Sequence, residues 1–337
     1  MLRKNNVLCG MHGLSVVIPN YNGTGLFPHT LPTVFEALRA QPLPWELIVV
    51  DDASTDDSVR WLQENYPDII LLQNATNGGF SVTVNKGVRA ARYDLVLLLN
   101  SDVKLTPGYF APLFPYFDRP DTFGVMGRIV GWEDELLQEG ARLPFFHGFK
   151  LKTSGNYVLA DEQEMNGGLL SLYVSGANAL LRRDRFLELG GLNELFSPFY
   201  VEDCELSLRA WRLGYTCYYE HAAICRHRTS TTIRTPERRR QVEIVYNRNK
   251  MLLHALHLPR WHRYGYYLQL VPETLLRLLS GKWTFVMAVG QFMDRYQGVR
   301  AARAKFLQTA DRRRVATVRE VAARILHSIK HKKIIQF

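Results

Sequence analysis

Four short apolar runs recur early in the chain, each closed by small polar or acidic residues. They are Ser15-Val16-Val17-Ile18 before Pro19-Asn20-Tyr21-Asn22-Gly23, Leu47-Ile48-Val49-Val50 before Asp51-Asp52-Ala53-Ser54-Thr55-Asp56-Asp57, Ile69-Ile70-Leu71-Leu72 before Asn77-Gly78-Gly79-Phe80, and Leu95-Val96-Leu97-Leu98-Leu99 before Asn100-Ser101-Asp102. Runs this short and this apolar read as strands buried on both faces. Between them the period turns helical. Leu31, Val34, Phe35 and Leu38 fall at i, i+3, i+4 and i+7, with Thr30 and Pro32 as start signals. Val59 and Leu62 follow Ser54 and Asp57, spaced as a capping box, and Phe80, Val84, Val88 and Ala91 make a third stripe. The alternation predicts an α/β fold with a doubly wound, mainly parallel sheet, because each parallel crossover needs such a connection. Ligands of such sheets bind beyond the carboxyl ends of the strands, so the Asp51-Asp52 pair and Asp102 are carried to one crevice. A lone Asp after a strand also serves as a turn or cap residue; the convergence of several strand ends is what favours a site.

Further on, Glu202-Asp203 opens a helix in which Leu206, Ala210 and Leu213 share a face and Gly214 supplies the stop. Acidic residues in a first turn also complement the helix dipole, so the pair has a structural reading as well as a chemical one. The tract from about Glu133 to Met165, with Phe145-Phe146-His147 and Gly155-Asn156-Tyr157, has no readable period. From Leu252 to Met293 the chain is rich in Leu and aromatics, including Trp261, Tyr264, Tyr266, Tyr267, Trp283 and Phe285. Glu273, Arg277 and Lys282 interrupt it, so no stretch reaches the ~18 to 20 charge-free residues of a spanning helix. Helices packed on the catalytic core and an interfacial helix both fit, and the two are compatible. The end of the chain reads as a basic helix or a loose tail.

A chain of 337 residues with 47% hydrophobic content can bury a full core, one large domain with an extension. The net charge of +10 favours an anionic partner. Nucleic acid is disfavoured, since there is no zinc-finger spacing, no RNP word and no basic strand interleaved with aromatics. Much of the excess lies late, in Arg238-Arg239-Arg240, Arg312-Arg313-Arg314 and Lys330-His331-Lys332-Lys333, which suits an anionic bilayer surface better. Cys9, Cys204, Cys217 and Cys225 form no CxxC pair or regular framework, so reduced structural thiols in the cytoplasm are the simplest reading. Residues 1–12 read as a tail, Val7 to His12 being too short and broken for the apolar core of a signal peptide.

The words SVVIPNYNG, VVDDASTDDS, NGGF with NKG, LLLNSD, SGA, GGLNELF and YVEDCELSLRAWRLGY stand in this order between about residues 13 and 230. In that ordered set the chain resembles the inverting glycosyltransferases of family 2, and within them rhamnosyltransferase-like bacterial members. The resemblance implies a GT-A catalytic domain over 13–230 and a C-terminal helical, basic, membrane-associated region over 231–337. It further implies a nucleotide-sugar donor, UDP- or dTDP-linked, and an acceptor on a lipid-linked or polysaccharide glycan at the cytoplasmic face of a bacterial inner membrane. A soluble acceptor is the alternative. The donor's diphosphate gains charge as the anomeric bond breaks, which calls for Mg²⁺ or Mn²⁺. Asp102 is the metal ligand expected, the family's Asp-x-Asp being Asn100-Ser101-Asp102 here. His227 is a second ligand by resemblance, or else an ordinary histidine. Asp203 aligns with the catalytic base, and Glu202 orients it or holds the acceptor. Pro19, Asn20 and Asp52 are expected at the nucleotide, with Asp52 on a uracil or thymine imide and Asp51 structural or ribose-directed. Gly78 and Gly79 permit close backbone approach, Lys86 is a phosphate contact or a solvated helix lysine, and Ser101 faces the ribose or diphosphate. Ser175-Gly176-Ala177 is expected as a floor beneath donor and acceptor.

Two other classes weigh less. A sugar nucleotidyltransferase needs a cation-bearing, Gly-rich loop after the first strand, and Pro19-Asn20-Tyr21-Asn22-Gly23 lacks the cations. A non-catalytic nucleotide-sugar-binding scaffold need not keep Asp52, Asp102 and Asp203 together.

Overall fold

The apolar runs become strands and the periodic stretches between them helices. The computed structural model describes residues 13–228, 235–311 and 313–337, so Cys9, the 1–12 stretch, Thr229, Ser230 and Arg312 lie outside the described residues. The first half runs β1 (Leu14–Asn20), α1 (Phe27–Ala40), β2 (Trp45–Asp51), α2 (Ser58–Asn65), β3 (Ile70–Gln73), α3 (Phe80–Ala90), β4 (Leu95–Leu99) and β5 (Val103–Leu105). The middle adds β6 (Thr122–Gly131), β7 (Leu137–Glu139), β8 (Ala141–His147), β9 (Lys150–Leu159), β10 (Leu169–Leu170), β11 (Asn178–Arg182), α4 (Arg183–Glu188), α5 (Glu202–Arg212) and β12 (Thr216–His227). Helices α6 (Pro236–His257), α7 (Arg260–Leu279), α8 (Trp283–Asp294), α9 (Tyr296–Ala310) and α10 (Val318–His327) follow, then β13 (Ile334–Gln336).

The main sheet has the order β10-β12-β6-β11-β4-β1-β2-β3, with β5 on β12 and β7 on β6. Strands β3, β2, β1 and β4 are parallel neighbours, and the register Asn20↔Asp51 brings the ends of β1 and β2 together. Antiparallel β11 sits between β4 and β6, and β6 pairs parallel with β12. Alternate strand residues feed two cores. Val17, Val50, Val96 and Leu98 face one, shared with α3, α5 and α6, while Val16, Ile18, Val49 and Leu97 face the other, shared with α1.

Two helix starts differ from the sequence expectation. Helix α1 begins at Phe27, ahead of Thr30, and encloses Pro32; Pro28 occupies its first turn, and buried Phe27 stacks on Trp61 at 5.8 Å, so packing sets the start. Ser54 does not cap α2. Its backbone N–H and hydroxyl both go to the Asp51 carboxylate, and the Ser58 N–H is met instead by Asp56 at 3.0 Å.

The C-terminal helices share the catalytic core. Ile244, Met251, Leu252 and Leu256 of α6 pack in the same cluster as Phe196 and Leu206. The end of the chain is no loose tail: α10 carries a capping box between Thr317 and Glu320, and β13 pairs antiparallel with β9. Cys204, Cys217 and Cys225 are buried free thiols, and burial pushes the pKa of each well above the ordinary thiol value. Among the described residues no helix is long and apolar enough to cross a membrane.

Candidate active site

At the carboxyl ends of β1, β2 and β4 lies a crevice of about 510 Å³. Pro19, Asn20, Asp52, Gly79, Ser101 and Asp102 line it, as the strand pattern predicts. Asp51 is buried beneath, accepting from Asn20 Nδ2 at 2.8 Å and the Ser54 N–H at 2.9 Å, which makes it the clamp of the β2 turn. The Asp52 carboxylate accepts the Gly78 and Gly79 N–H groups and Asn74 Nδ2, all at 2.8 Å, and so pins the glycine loop to β2. Gly79 has φ +82°, and a Cβ there would stand 2.7 Å from the Pro198 backbone, so only glycine fits. Lys86 is not among the lining residues. Its ammonium donates to the Gln73 carbonyl at 2.6 Å and to Asn74 Oδ1, which removes it as a phosphate contact in this arrangement.

Asp102 and His227 meet although they lie 125 positions apart in the sequence. Strand β12 pairs with β5, placing His227 opposite Val103, and His227 Nε2 lies 3.2 Å from Asp102 Oδ2. His227 Nδ1 stands 2.7 Å from Gln138 Oε1. With Nδ1 donating to Gln138, Nε2 turns a lone pair toward a carboxylate, a contact that needs a proton or a cation between them. Burial works against the charged imidazole, but the Asp102 carboxylate outweighs it and raises the His227 pKa. Among the described residues Asp102 Oδ1 is buried without a hydrogen-bond partner. An orphaned carboxylate oxygen beside an imidazole nitrogen suits a divalent cation bound by two protein ligands and by ligand oxygens; among the described residues no cluster of three or more His, Cys, Asp or Glu side chains supplies more.

The acid pair is held from behind. Tyr200 and Val201 have φ +73° and +74°, a strained conformation for a β-branched residue that costs roughly 1–3 kcal/mol. Asn249 of α6 offsets it, its amide donating to the carbonyls of Phe196, Phe199 and Tyr200 at 2.7–2.9 Å. Behind these, Arg209 and His257 grip the buried Glu205 carboxylate, and Arg209 also reaches the Gly191 carbonyl at 2.7 Å, tying α5 to the loop after α4 and to α6. Asp203 accepts from the Cys204 N–H at 2.7 Å and the Gly176 N–H at 3.2 Å. The Ser175-Gly176-Ala177 turn thus joins the Asp203 side of the site to the Asp102 side, for the Ala177 carbonyl accepts the Asn100 N–H at 3.1 Å.

Burial, then the nearby Glu139 charge, pushes the Asp203 carboxyl above the usual range, against the two backbone donors. Burial and the Asp203 charge push Glu202 higher still. Glu139 itself accepts from Tyr173 Oη at 2.8 Å and Ser175 Oγ at 3.1 Å. Glu139→Gln removes a negative charge beside Asp203, so the Asp203 pKa should fall and the acid limb of the kcat/KM profile should move to lower pH. An unmoved limb would mean that Asp203 does not feel Glu139.

The family model for glycosyl transferase family 2 matches residues 15–190. The chain belongs to that family. It is a glycosyltransferase with a GT-A fold and C-terminal helices. It is 24% identical over 235 residues to the N-acetylglucosaminyl-diphospho-decaprenol L-rhamnosyltransferase of Mycobacterium tuberculosis, covering 62% of this chain and 75% of that protein. Over 229 residues it is 25% identical to the O-antigen chain rhamnosyltransferase WbaN of Salmonella anatum, covering 66% and 69%. Among solved structures, GalNAc-T7 with UDP, GalNAc and Mn²⁺ superposes with a TM-score of 0.66 at 15% identity, covering 96% of this chain. The chain spans 58% of that larger protein.

Several residues of this glycosyltransferase's candidate site carry no readable signal in the sequence. Arg238 and Gln241 reach the crevice from α6, and Phe199 from the loop before α5. Glu139 lies in the tract without a period, and only the pairing of β7 with β6 brings it to Asp203. Tyr200 opens the YVEDCELSLRAWRLGY word and was findable there.

Proposed function

We propose that this enzyme transfers a sugar, with inversion, from a UDP- or dTDP-linked donor to a hydroxyl of a lipid-linked or polysaccharide glycan in bacterial cell-surface assembly. The observation that carries the reading is the placement of the Asp102–His227 pair and Asp203 on either side of the Ser175-Gly176-Ala177 turn. Asp203 removes the acceptor proton as the new C–O bond forms, and its raised pKa suits a base working near neutrality. Glu202 orients that acid, and attack is direct, with no covalent enzyme intermediate. Asp52, Pro19 and Asn20 hold the nucleotide, Gly78 and Gly79 let the backbone approach it, and Ser101 faces the ribose or diphosphate. Asp102 and His227 would hold Mg²⁺ or Mn²⁺, which supplies charge stabilisation to the leaving diphosphate. The Mn²⁺ and UDP in the GalNAc-T7 structure and the rhamnosyl transfer named for two relatives support this choice of donor class and metal. The test is a panel of UDP- and dTDP-sugars, each scored for thermal stabilisation and nucleotide release with Mn²⁺ present. At least one should do both; a panel in which none stabilises the protein contradicts the reading.

Asp52→Ala should raise the donor KM more than it lowers kcat, because contacts to the base and the pinned glycine loop are made equally in ground and transition states. Unchanged affinity for UDP and dTDP would remove Asp52 from the site.

The acceptor reading extends to a membrane surface. Trp261, Tyr264, Leu268, Val271 and Leu275 form one exposed stripe on α7, continued by Leu279 and Trp283, with Trp261 77%, Leu268 74% and Leu279 84% exposed. So contiguous an apolar face is unusual on a monomer. Arg260, Arg277 and Lys282 flank it, each adding about 1 kcal/mol near anionic lipid. An anionic bilayer at the cytoplasmic face of the inner membrane is the occupant proposed, and the mycobacterial relative's decaprenyl-linked acceptor, by its name, supports it. Co-sedimentation with anionic liposomes should be strong at low salt, weaken with salt, and fall in a Trp261→Ser/Leu268→Ser variant. Absence of binding at low salt would make a soluble acceptor the better reading.

A further inference from the structure

Asp203 opens onto a second cavity, of about 200 Å³, walled by β7, β9 and α6. Asp102 lines the first crevice and Asp203 the second. The two spaces adjoin at Gly176, where a Cβ would lie 3.0 Å from the Phe80 ring, which lines the first, and 3.8 Å from Asp203 Cβ in the second. A donor in the first space and an acceptor in the second would therefore meet at the base.

The second cavity has its own chemistry. Tyr200 and Tyr246, both partly exposed, stand edge to face at 6.2 Å between centroids. Such rings present flat apolar faces of the kind that cover the C–H face of a sugar. Lys250 Nζ lies 4.1 Å from the Tyr246 ring centroid, and Lys152 joins it from β9. Among the described residues neither ammonium is held in an ion pair, whereas the nearby Lys150 is tied to Glu273. The acid side of the cavity is differently committed, Glu139 being occupied by Tyr173 and Ser175. Two ammonium groups without a carboxylate partner among the described residues, beside sugar-sized aromatic walls, match a ligand with an anionic group attached to a sugar.

We propose that this cavity is an acceptor subsite selective for a sugar carrying a phosphoryl ester, with Lys152 and Lys250 on the phosphate, Tyr200 and Tyr246 against the ring, and the attacking hydroxyl directed to Asp203. The assignment rests on Asp203 being the base. It predicts discrimination by charge: the phosphate is held by ammonium groups that give a neutral glycoside nothing comparable. Without them, a phosphate brought near Asp203 and Glu139 would be repelled.

The test titrates glucose 1-phosphate, galactose 1-phosphate and N-acetylglucosamine 1-phosphate, each against its neutral methyl glycoside, into the full chain saturated with UDP and Mg²⁺. UDP binding, measured first, reports separately on the donor crevice. At least one 1-phosphate should bind about tenfold or more tightly than its neutral partner. The preference should shrink in Lys152→Met and Lys250→Met and vanish in the double variant, with UDP affinity unchanged. Absence of any preference for the phosphate in all three pairs overturns the proposal, as does a preference that survives the double substitution. If the double variant loses UDP binding through misfolding, the two single variants decide by the same criterion.

Discussion

Asp203→Asn should lower transfer by about 10²- to 10⁴-fold while nucleotide affinity stays close to that of the unsubstituted enzyme. The amide keeps the shape of the side chain, and its one oxygen can still accept from the Cys204 N–H; the longer Gly176 contact, made by the other carboxylate oxygen, loses its acceptor, a small change beside loss of the base. Because burial and Glu139 raise the Asp203 pKa, activity of the unsubstituted enzyme should climb with pH through a midpoint above that of an ordinary carboxylate, as the protonated, inactive form gives way to the carboxylate. Steady-state transfer measured beside nucleotide titration separates the two effects. Transfer within threefold of the unsubstituted enzyme would remove Asp203 from the base role.

Asp102→Ala should be comparably severe by another route. Loss of an outer partner of a metal ligand already costs about 10- to 100-fold in affinity or activity, so loss of a ligand carboxylate should cost at least about 100-fold. His227→Ala should be milder, because the orphaned Asp102 carboxylate persists. EDTA should stop transfer in the unsubstituted enzyme and added Mg²⁺ or Mn²⁺ restore it. Full activity in chelator would mean that protein cations alone meet the diphosphate charge.

Where the sequence was legible, local physics was enough. The run from Leu95 to Leu99 is buried throughout and delivers Asp102 to the crevice, and the face of Leu206 and Ala210 makes α5 with Glu202 and Asp203 in its first turn. Gly79 was expected to admit a nucleotide, and the neighbour that excludes a Cβ there is the Pro198 backbone. What failed depended on partners distant in the chain. Ser54 has the spacing of a cap, but Asp51 offers it a buried carboxylate and takes precedence. Lys86 sits on the side of α3 that faces the end of β3, which no helical period reveals. Helix α6 falls in the region expected as a helical, basic extension, yet Asn249 and Arg248 hold the loop that carries the acid pair. Glu139 and the lysines of the second cavity reach Asp203 only through β7, β9 and α6, whose packing has no signature in the order of residues.

The most direct measurement is a calorimetric titration of UDP and dTDP, with and without Mn²⁺, into the unsubstituted enzyme, Asp102→Ala and Asp203→Asn. A nucleotide crevice with its cation at Asp102 and a separate base at Asp203 should give Mn²⁺-dependent binding in the unsubstituted enzyme and in Asp203→Asn, with the Mn²⁺ gain lost in Asp102→Ala. Binding that ignores Mn²⁺ in the unsubstituted enzyme, or an Mn²⁺ gain retained by Asp102→Ala, would contradict it.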